Sequence, residues 1–396
     1  MLITQKRLAT IIISSSLLMV QSVYAADWTE KVTIRGFASA VYQQTDDPVF
    51  FNGDCAREFA DNGSGVVVAQ PCANSTDPGT VNGVTPANGG INEDGSFRRT
   101  RIGLNINANI NERVTLQTQF LVLEEEDEYK MHLDWGFISV GLNDNNTVRA
   151  GELRLPVGLV NEFQSVGFSF PWIEAPQLFY TSDFNGPNVT RESYRGLNYL
   201  WQGYADDWAF TTEIFYGDIA LEGMSLNGMF GATLKAEWDD AVYAQASTYS
   251  GKMLYEPRMA AMLGETHQVS TFGMGGDLSS FLFYAEYAHV TMGMDVQESN
   301  AWYTSVGYQF EEITLMLTYQ DMTKGDVAGV DDALKNSQTM SSASLRYDFA
   351  YNTALKFELS QIDTEKGVGL FAAGATTDLK PADSVNMFGM ALEVLF

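Results

Sequence analysis

The chain has 396 residues, of which 45% are hydrophobic, 12% aromatic and 18% charged, and its formal net charge is −27. This excess of acidic residues disfavours nucleic acid as a partner, because phosphate binding depends on clustered Lys and Arg. No apolar run of about 18 residues follows the N-terminal segment, which excludes a bundle of membrane-spanning helices. The aromatic residues are spread along the whole chain, which argues against disorder. A large all-β protein is the class that remains.

The first 25 residues have the pattern of a secretory signal. Lys6 and Arg7 precede the apolar run 8–20, and small or apolar residues at 23–25 suit a signal peptidase. We expect cleavage after Ala25, so that residues 26–396 form the mature protein. A retained membrane anchor is the alternative, and the short, serine-interrupted run disfavours it.

Export also indicates the chemical state of the two cysteines. Cys55 and Cys72 lie in one stretch that is rich in Gly, Asn and Asp. An oxidising compartment favours a disulfide between them, whereas a metal site would need more ligands than this stretch offers. We therefore predict a Cys55–Cys72 disulfide that closes this part of the chain.

Apolar and polar residues alternate with a period of two after residue 30. Ile102, Leu104 and Ile106, for example, alternate with Arg101 and Asn105. In a soluble sandwich the apolar face would fill a core. In a membrane barrel the apolar face contacts lipid and the polar face lines a wet lumen.

The lengths of the connections favour the barrel. Long connections alternate strictly with tight turns such as Asn111, Asp239-Asp240, Asp277, Glu311 and Tyr351-Asn352, which is typical of outer-membrane barrels with external loops and periplasmic turns. The long connections are 44–97, 125–129, 156–192, 218–228, 251–267, 291–299, 323–337 and 363–384. The sixteen predicted strands are 31–43, 98–110, 112–124, 130–142, 145–155, 193–203, 207–217, 229–238, 241–250, 268–276, 279–290, 300–310, 312–322, 338–349, 353–362 and 385–396.

Two sequence features resemble those of known outer-membrane proteins. The alternating last strand ends on Phe396, which resembles their assembly signal. The segments RAGELRLPVGLVNE (149–162) and FPWIEAPQLFY (170–180) resemble the strand-to-loop-three passage of trimeric Gram-negative porins, nearest the branch that includes phosphate-selective porins. The resemblance implies a 16-stranded antiparallel barrel, a homotrimer, and a third long loop (156–192) that folds into the lumen and narrows it. No Lys lies between Lys130 and Lys235, which departs from the phosphate-selective pattern.

Strand phase and the inserted loop together give a candidate pore constriction. Basic residues in lumen phase would face loop acids across the pore, although lumen arginines are also tolerated simply because water surrounds them. The candidate constriction residues are Arg35, Arg99, Arg101, Arg154, Glu152, Glu162, Glu174 and Asp183.

A separate acidic run has two interpretations. It is either a solvated external loop or a weak site for Ca²⁺ or Mg²⁺ that bridges to lipopolysaccharide or a neighbouring subunit. The run consists of Glu124, Glu125, Glu126, Asp127 and Glu128.

Nothing in the sequence predicts an enzyme or a cofactor site. His132, His267 and His289 are far apart and none lies in a nucleophile pattern. We predict an outer-membrane porin that admits small hydrophilic solutes and ions by passive diffusion, with weak cation preference. The alternatives are a channel specific for an anion such as phosphate or an acidic metabolite, and a surface-receptor or structural barrel with a plugged lumen.

Overall fold

The fold is taken from a computed structural model. Several sequence predictions lie outside the residues that it describes: the signal segment 1–25, Cys55, Cys72, Glu126, Asp127 and Asp183. The described residues are 31–46, 50–51, 59–61, 67–69, 91–125, 128–180, 193–221, 224–255, 266–292, 297–324, 337–366, 370–373, 380–381 and 384–396.

Sixteen strands of the described part form one closed antiparallel barrel, as predicted. They are β1 (Val32–Thr45), β2 (Arg101–Asn109), β3 (Val114–Glu125), β4 (Glu128–Gly141), β5 (Asn146–Arg154), β6 (Ser193–Ala205), β7 (Trp208–Leu221), β8 (Met224–Trp238), β9 (Val242–Tyr255), β10 (Thr266–Leu278), β11 (Phe281–Met292), β12 (Gln297–Phe310), β13 (Ile313–Lys324), β14 (Ser337–Ala350), β15 (Thr353–Lys366) and β16 (Ser384–Leu395).

The first and last strands close the barrel. Phe37 of β1 lies opposite Leu395 of β16, and the ladder continues from there to Thr45 opposite Met387. The backbone groups of Gly36 and Phe396 exchange two hydrogen bonds of 2.7 and 2.9 Å at its end. Closure leaves no free sheet edge, which is what a lipid environment requires.

The two faces of the strands have the polarity of a membrane barrel. On β16, Phe388, Met390 and Leu392 are exposed on the outer surface, whereas Met387 and Glu393 are buried on the inner side. The same alternation appears on β13, where Leu315 and Leu317 point outward. The apolar outer surface fits lipid. No helix among the described residues is long and apolar enough to cross a membrane.

Tight turns join the strands at one end, which we term the periplasmic end. Asp239, Asp240 and Asn352 have positive φ there, a conformation that Asp and Asn tolerate. The side-chain oxygen of Asn111 accepts hydrogen bonds from the backbone N–H groups of Arg113 and Val114 in the same turn, which is typical of Asn in turns. Asp277 was expected to be a turn but lies in β10, because the ladder with β11 continues two residues further.

Several external connections are shorter than predicted, since the strands extend into them. The expected loop 218–228 is largely strand: β7 runs to Leu221 and β8 begins at Met224. β8 carries an extra residue here in its ladders with both β7 and β9, and the backbone N–H of Gly228, whose φ is +60°, donates to the carboxylate of Asp218 at 2.7 Å. The described residues of 218–228 therefore form a bulged hairpin instead of a long loop.

Two external connections interact with each other. Loop one joins β1 to β2, and loop eight joins β15 to β16. Residues Phe50–Phe51 of loop one pair with Phe371–Ala373 of loop eight, which in turn pair with Lys380–Pro381. The two loops thus share a small three-stranded sheet.

Candidate pore constriction in the third loop

The connection from β5 to β6, loop three, leaves the wall and folds into the barrel. Its described part, 155–180, contains two 3-10 turns (Asn161–Phe163 and Gly167–Ser169) and a short helix, α1 (Gln177–Tyr180). Most of this segment is buried, and Trp172 packs edge-on against Tyr303 of β12. Its proline and aromatic content therefore serves packing against the inner wall rather than hydration.

The beginning of loop three is held by side chains of β8 and β9. The carbonyl oxygen of Pro156 accepts hydrogen bonds from the hydroxyls of Thr233 and Ser247. The amide of Gln245 donates to the carbonyl oxygen of Gly158 at 2.9 Å. Small polar residues on the inner wall thus satisfy backbone groups that an irregular buried segment would otherwise leave without partners.

A single carboxylate on β11 holds both ends of the described loop. Glu286 accepts hydrogen bonds from the backbone N–H of Leu159 at 2.8 Å and from the hydroxyl of Tyr180. The hydroxyl of Tyr303 donates to the same carboxylate. Residues 159 and 180 are therefore fixed to one point on the wall.

A buried lysine holds the middle of the loop. Lys356 of β15 is 0% exposed, and its ammonium donates to the carbonyl oxygens of Gly167 and Trp172, each at 2.6 Å. It also lies 4.9 Å from the centre of the Phe170 ring and 3.9 Å from the carboxylate of Glu393. A fully buried charge requires such partners.

Arg346 of β14 holds the same stretch from a neighbouring strand. Its Nη1 donates to the carbonyl oxygens of Phe168 and Phe170 at 2.6 and 3.1 Å. The rest of the guanidinium is bonded to Asp348. The middle of the loop is therefore attached to two adjacent strands by positive charge.

Two of the predicted constriction arginines also bind the loop directly. Arg101 of β2 pairs with Glu174 at 2.8 Å and donates to the carbonyl oxygen of Ser165 at 2.9 Å. Arg154, at the end of β5, pairs with Asp134 at 2.6 Å and donates to the Ser165 hydroxyl at 2.5 Å. The structure thus brings Arg101, Arg154 and Glu174 to the loop, but as ion pairs rather than as charges separated by an open passage.

Two other predicted residues lie elsewhere on the barrel. Arg99 is in the turn that precedes β2, not in the strand, and is half-buried. Arg35 is exposed beside Gly36, near the periplasmic end of β1.

Glu152 is on the outer face of the barrel. It lies opposite Gly136 and Arg195 in the ladder, and the Nε of Arg195, whose side chain is 71% exposed, donates to its carboxylate at 2.7 Å. Its neighbour Leu153 points inward and is buried with Tyr194. The prediction that Glu152 lines the lumen is wrong, because the inner face here is apolar where loop three packs against it.

Glu162 is a predicted constriction residue on the exposed side of loop three. It is exposed, although its neighbour Asn161 is fully buried. Loss of hydration inside the barrel and, to a smaller extent, the carboxylate of Glu213 raise the pKa of Glu162 to about 7, while Arg149 and Lys235 act in the opposite direction. These three wall residues therefore lie within electrostatic range of the Glu162 carboxylate.

The wall opposite Glu162 carries both signs of charge. Arg149 of β5 lies 3.7 Å from Glu213 of β7, and Lys235 of β8 lies 2.9 Å from Glu237 on the same strand. Both cations also sit over aromatic rings, Arg149 over Phe137 and Lys235 over Tyr243. Sequence reasoning missed these four charged residues, although Arg149, Lys235 and Glu237 each lie between two apolar neighbours along their strands.

The acidic run at the end of the β3–β4 hairpin gives no metal site that can be described. Glu124 and Glu125 end β3 and Glu128 begins β4. Among the described residues, no group of three or more His, Cys, Asp or Glu side chains is arranged to hold a metal ion. The divalent site remains a prediction.

A closed barrel of sixteen antiparallel strands, with an apolar outer surface and a loop folded into its lumen, defines a membrane channel barrel. The chain matches the Gram-negative porin family over residues 8–367 and belongs to that family. It is therefore a protein of the Gram-negative outer membrane.

Solved structures share the fold at low sequence identity. The outer-membrane channel DcaP of Acinetobacter baumannii is 12% identical, with 92% of this chain and 97% of that chain covered and a TM-score of 0.58. An anion-selective porin from Comamonas acidovorans is 12% identical, with coverage of 92% and 99% and a TM-score of 0.57. OmpT of Vibrio cholerae, in a trimer form, is 12% identical, with coverage of 92% and 100% and a TM-score of 0.51. No curated protein sequence matches the chain.

Proposed function

We propose that this porin is a passive diffusion channel for small hydrophilic solutes and ions, narrowed by loop three. The observation that carries the proposal is the exposed Glu162 on an otherwise buried loop, within electrostatic range of Arg149, Glu213 and Lys235 on the wall. A row of charged groups beside water suits polar solutes, because contacts with the wall can replace part of the hydration shell of the solute.

The same residues support a weak preference for cations. Arg101, Arg154 and Lys356 are each paired with an acid, so their fields largely cancel at a distance. When Glu162 is ionised, the charges beside the passage are three carboxylates and two cations. These groups are Glu162, Glu213, Glu237, Arg149 and Lys235. Acidic residues of the external mouth add to this bias through electrostatic focusing, which salt weakens.

The direct test is the reversal potential of the purified protein in a planar bilayer. A KCl gradient should give a cation-preferring potential at low salt that decreases at high salt. Marked anion selectivity that persists at high salt would contradict the proposed charge balance. A complete lack of conductance by folded protein would instead favour the structural or receptor barrel.

A second candidate is a channel that is restricted to particular solutes. The inner wall on the external side of loop three carries buried apolar residues such as Met322, Met340 and Met387, where a general porin would be expected to be wet. Phosphate is not favoured as the solute, because Lys356 and Arg346 are bonded to loop carbonyl groups and to acids. Liposome swelling with phosphate and with neutral sugars separates the two candidates.

We also propose that the protein assembles as a homotrimer. The support is the family together with the trimer form of the similar OmpT structure. Light scattering of the detergent-solubilised protein, corrected for bound detergent, should give three times the chain mass.

A further inference from the structure

A row of inward-facing residues crosses four strands near the periplasmic end of the barrel. Glu237 of β8 lies opposite Tyr243 of β9. Gly275 of β10 in turn lies opposite both Tyr243 and Tyr284 of β11. Residues that lie opposite each other in a ladder point to the same face of the sheet, so these side chains share one stretch of the inner wall. The row is two residues closer to the periplasmic turns than Glu286, which holds loop three.

Gly275 allows the two tyrosine side chains to approach each other. A Cβ atom at this position would lie 2.8 Å from the Oη of Tyr243 and 3.1 Å from the Cδ1 of Tyr284. The two side chains therefore lie over the glycine and form one aromatic surface across β10, which we term the tyrosine platform. Trp172 of loop three packs edge-on against Tyr284, with 4.9 Å between the ring centres, and so connects the platform to the loop.

The tyrosine platform has surface that a solute can reach. Tyr243 and Tyr284 are only partly buried and pack at the margin of the apolar cluster around loop three. In the described part of the chain, no residue forms a hydrogen bond with either hydroxyl. A phenol hydroxyl can both donate and accept. The platform therefore offers two hydrogen-bonding groups on an aromatic surface.

An ion pair borders the platform. The ammonium of Lys235 lies 4.9 Å from the centre of the Tyr243 ring and 2.9 Å from the carboxylate of Glu237. The two side chains are 17% and 21% exposed, so both reach water. Their charges largely cancel at a distance, while the ammonium still donates and the carboxylate still accepts hydrogen bonds. Lys235 is also within electrostatic range of Glu162, which puts the platform beside the proposed passage.

This combination of groups matches the chemistry of a neutral sugar. The C–H groups of a sugar ring can pack on aromatic side chains, and its hydroxyls can bond to phenol, ammonium and carboxylate groups alike. A small ion would find the opposite charge of the pair already neutralised. Aromatic surface with a few polar groups at its edge is typical of sites for small molecules.

We propose that the tyrosine platform, together with Lys235 and Glu237, is a weak binding subsite for neutral sugars on the periplasmic side of loop three. The inference rests on the proposed channel function and names a class of solute for it. A sugar in this subsite would occupy part of the lumen and reduce the ion current while it is bound.

The experiment measures the ion current of the full-length protein in planar bilayers as maltotriose is added. The current should fall to a plateau, because a binding site saturates. Polyethylene glycol of similar size is the reference solute, since it excludes the same volume but has no hydroxyl groups along its chain, and it should give no plateau. Benzoate tests whether the platform instead binds aromatic acids.

Two independent variants change the platform without changing its charge. Tyr243→Phe/Tyr284→Phe keeps both rings and removes both hydroxyls, and it should raise the half-saturating concentration of maltotriose about fivefold or more. Gly275→Ala displaces the Tyr243 hydroxyl and should act in the same direction. Tyr287→Phe is the matched control, because Tyr287 lies on the outer face of β11 and its hydroxyl bonds to Asn300. It should bind maltotriose as the wild type does.

The outcomes separate the subsite from the channel. A wild type that conducts but shows no saturable effect of maltotriose would overturn the inference and leave the channel function intact. An unchanged half-saturating concentration in either conducting platform variant would do the same. Saturation by benzoate at a lower concentration than by maltotriose would overturn the assignment to sugars. No conductance from any folded chain, wild type included, would overturn both the subsite and the channel.

Discussion

Arg101 of β2 and Glu174 of loop three, which are 73 residues apart in the chain, form a 2.8 Å ion pair inside the barrel. The sequence predicts that these two side chains face each other across an open passage. Direct contact instead cancels their fields and fixes the loop to the wall. The pair should therefore affect the position of the loop more than the charge selectivity of the channel.

Glu174→Gln should lower the free energy of unfolding by about 1.5–3 kcal/mol, because it weakens a hydrogen bond between charged groups that are mostly buried. Urea unfolding of protein refolded into lipid vesicles measures this change. Glu298→Gln is the control, since the ion pair of Glu298 with His289 is largely exposed and should contribute less than about 1 kcal/mol. A shift in reversal potential with no loss of stability would assign the pair to selectivity instead.

Glu286→Ala should destabilise the attachment of loop three at both ends. It removes the acceptor for the Leu159 N–H and for the hydroxyls of Tyr180 and Tyr303, groups that remain buried. We expect greater open-channel current noise in single-channel recordings and a loss of unfolding free energy of about 1–3 kcal/mol for each unsatisfied group. Glu286→Gln retains an acceptor oxygen and should recover much of the wild-type behaviour. Equal noise in the wild type and Glu286→Ala would show that the loop is held by its packing alone.

The strands could be predicted from the sequence because their signal is local. Period-two alternation and turn residues such as Asn111 and Asn352 act within about ten residues, and all sixteen strands follow from them. The predicted strand ends differ from the observed ones where a local pattern is typical of two structures. Asn227 and Gly228, for example, are residue types that are as typical of a loop as of the bulged hairpin that they form.

The partners inside the lumen could not be predicted, because their pairing depends on closure of the whole barrel. Lys356 and Arg346 alternate with apolar neighbours, yet nothing local connects either residue to loop groups that lie 178 and 189 residues earlier in the chain. Glu152 was misplaced for a related reason. The rule that apolar residues face lipid fails at Leu153, where loop three supplies an apolar environment inside the barrel.

The cysteines, which lie outside the described residues, give a prediction from sequence alone. Cys55 and Cys72 should form a disulfide in protein isolated from the native envelope, because export exposes both to an oxidising compartment. Intact-mass analysis after alkylation without reduction measures this. Two alkylated thiols per chain would contradict the prediction, and a reduced and alkylated sample serves as the reference.

Glu162 should make the selectivity of the channel depend on pH. Loss of hydration inside the barrel and the nearby carboxylate of Glu213 raise its pKa to about 7. A carboxyl group is neutral below its pKa and negative above it, so Glu162 adds a negative charge beside the passage only as the pH rises through this value. The reversal potential in a KCl gradient at low salt should therefore become more cation-preferring between about pH 5 and about pH 9.

The variants identify the group that titrates. Glu162→Gln should show weaker cation preference than the wild type at about pH 9 and the same preference at about pH 5, because the amide is neutral at both. Histidines ordinarily titrate in the same range, so His132→Gln on β4 is the control and should keep the pH dependence. A pH dependence that survives in Glu162→Gln would show that another group controls it, and that Glu162 does not reach the path of the ions.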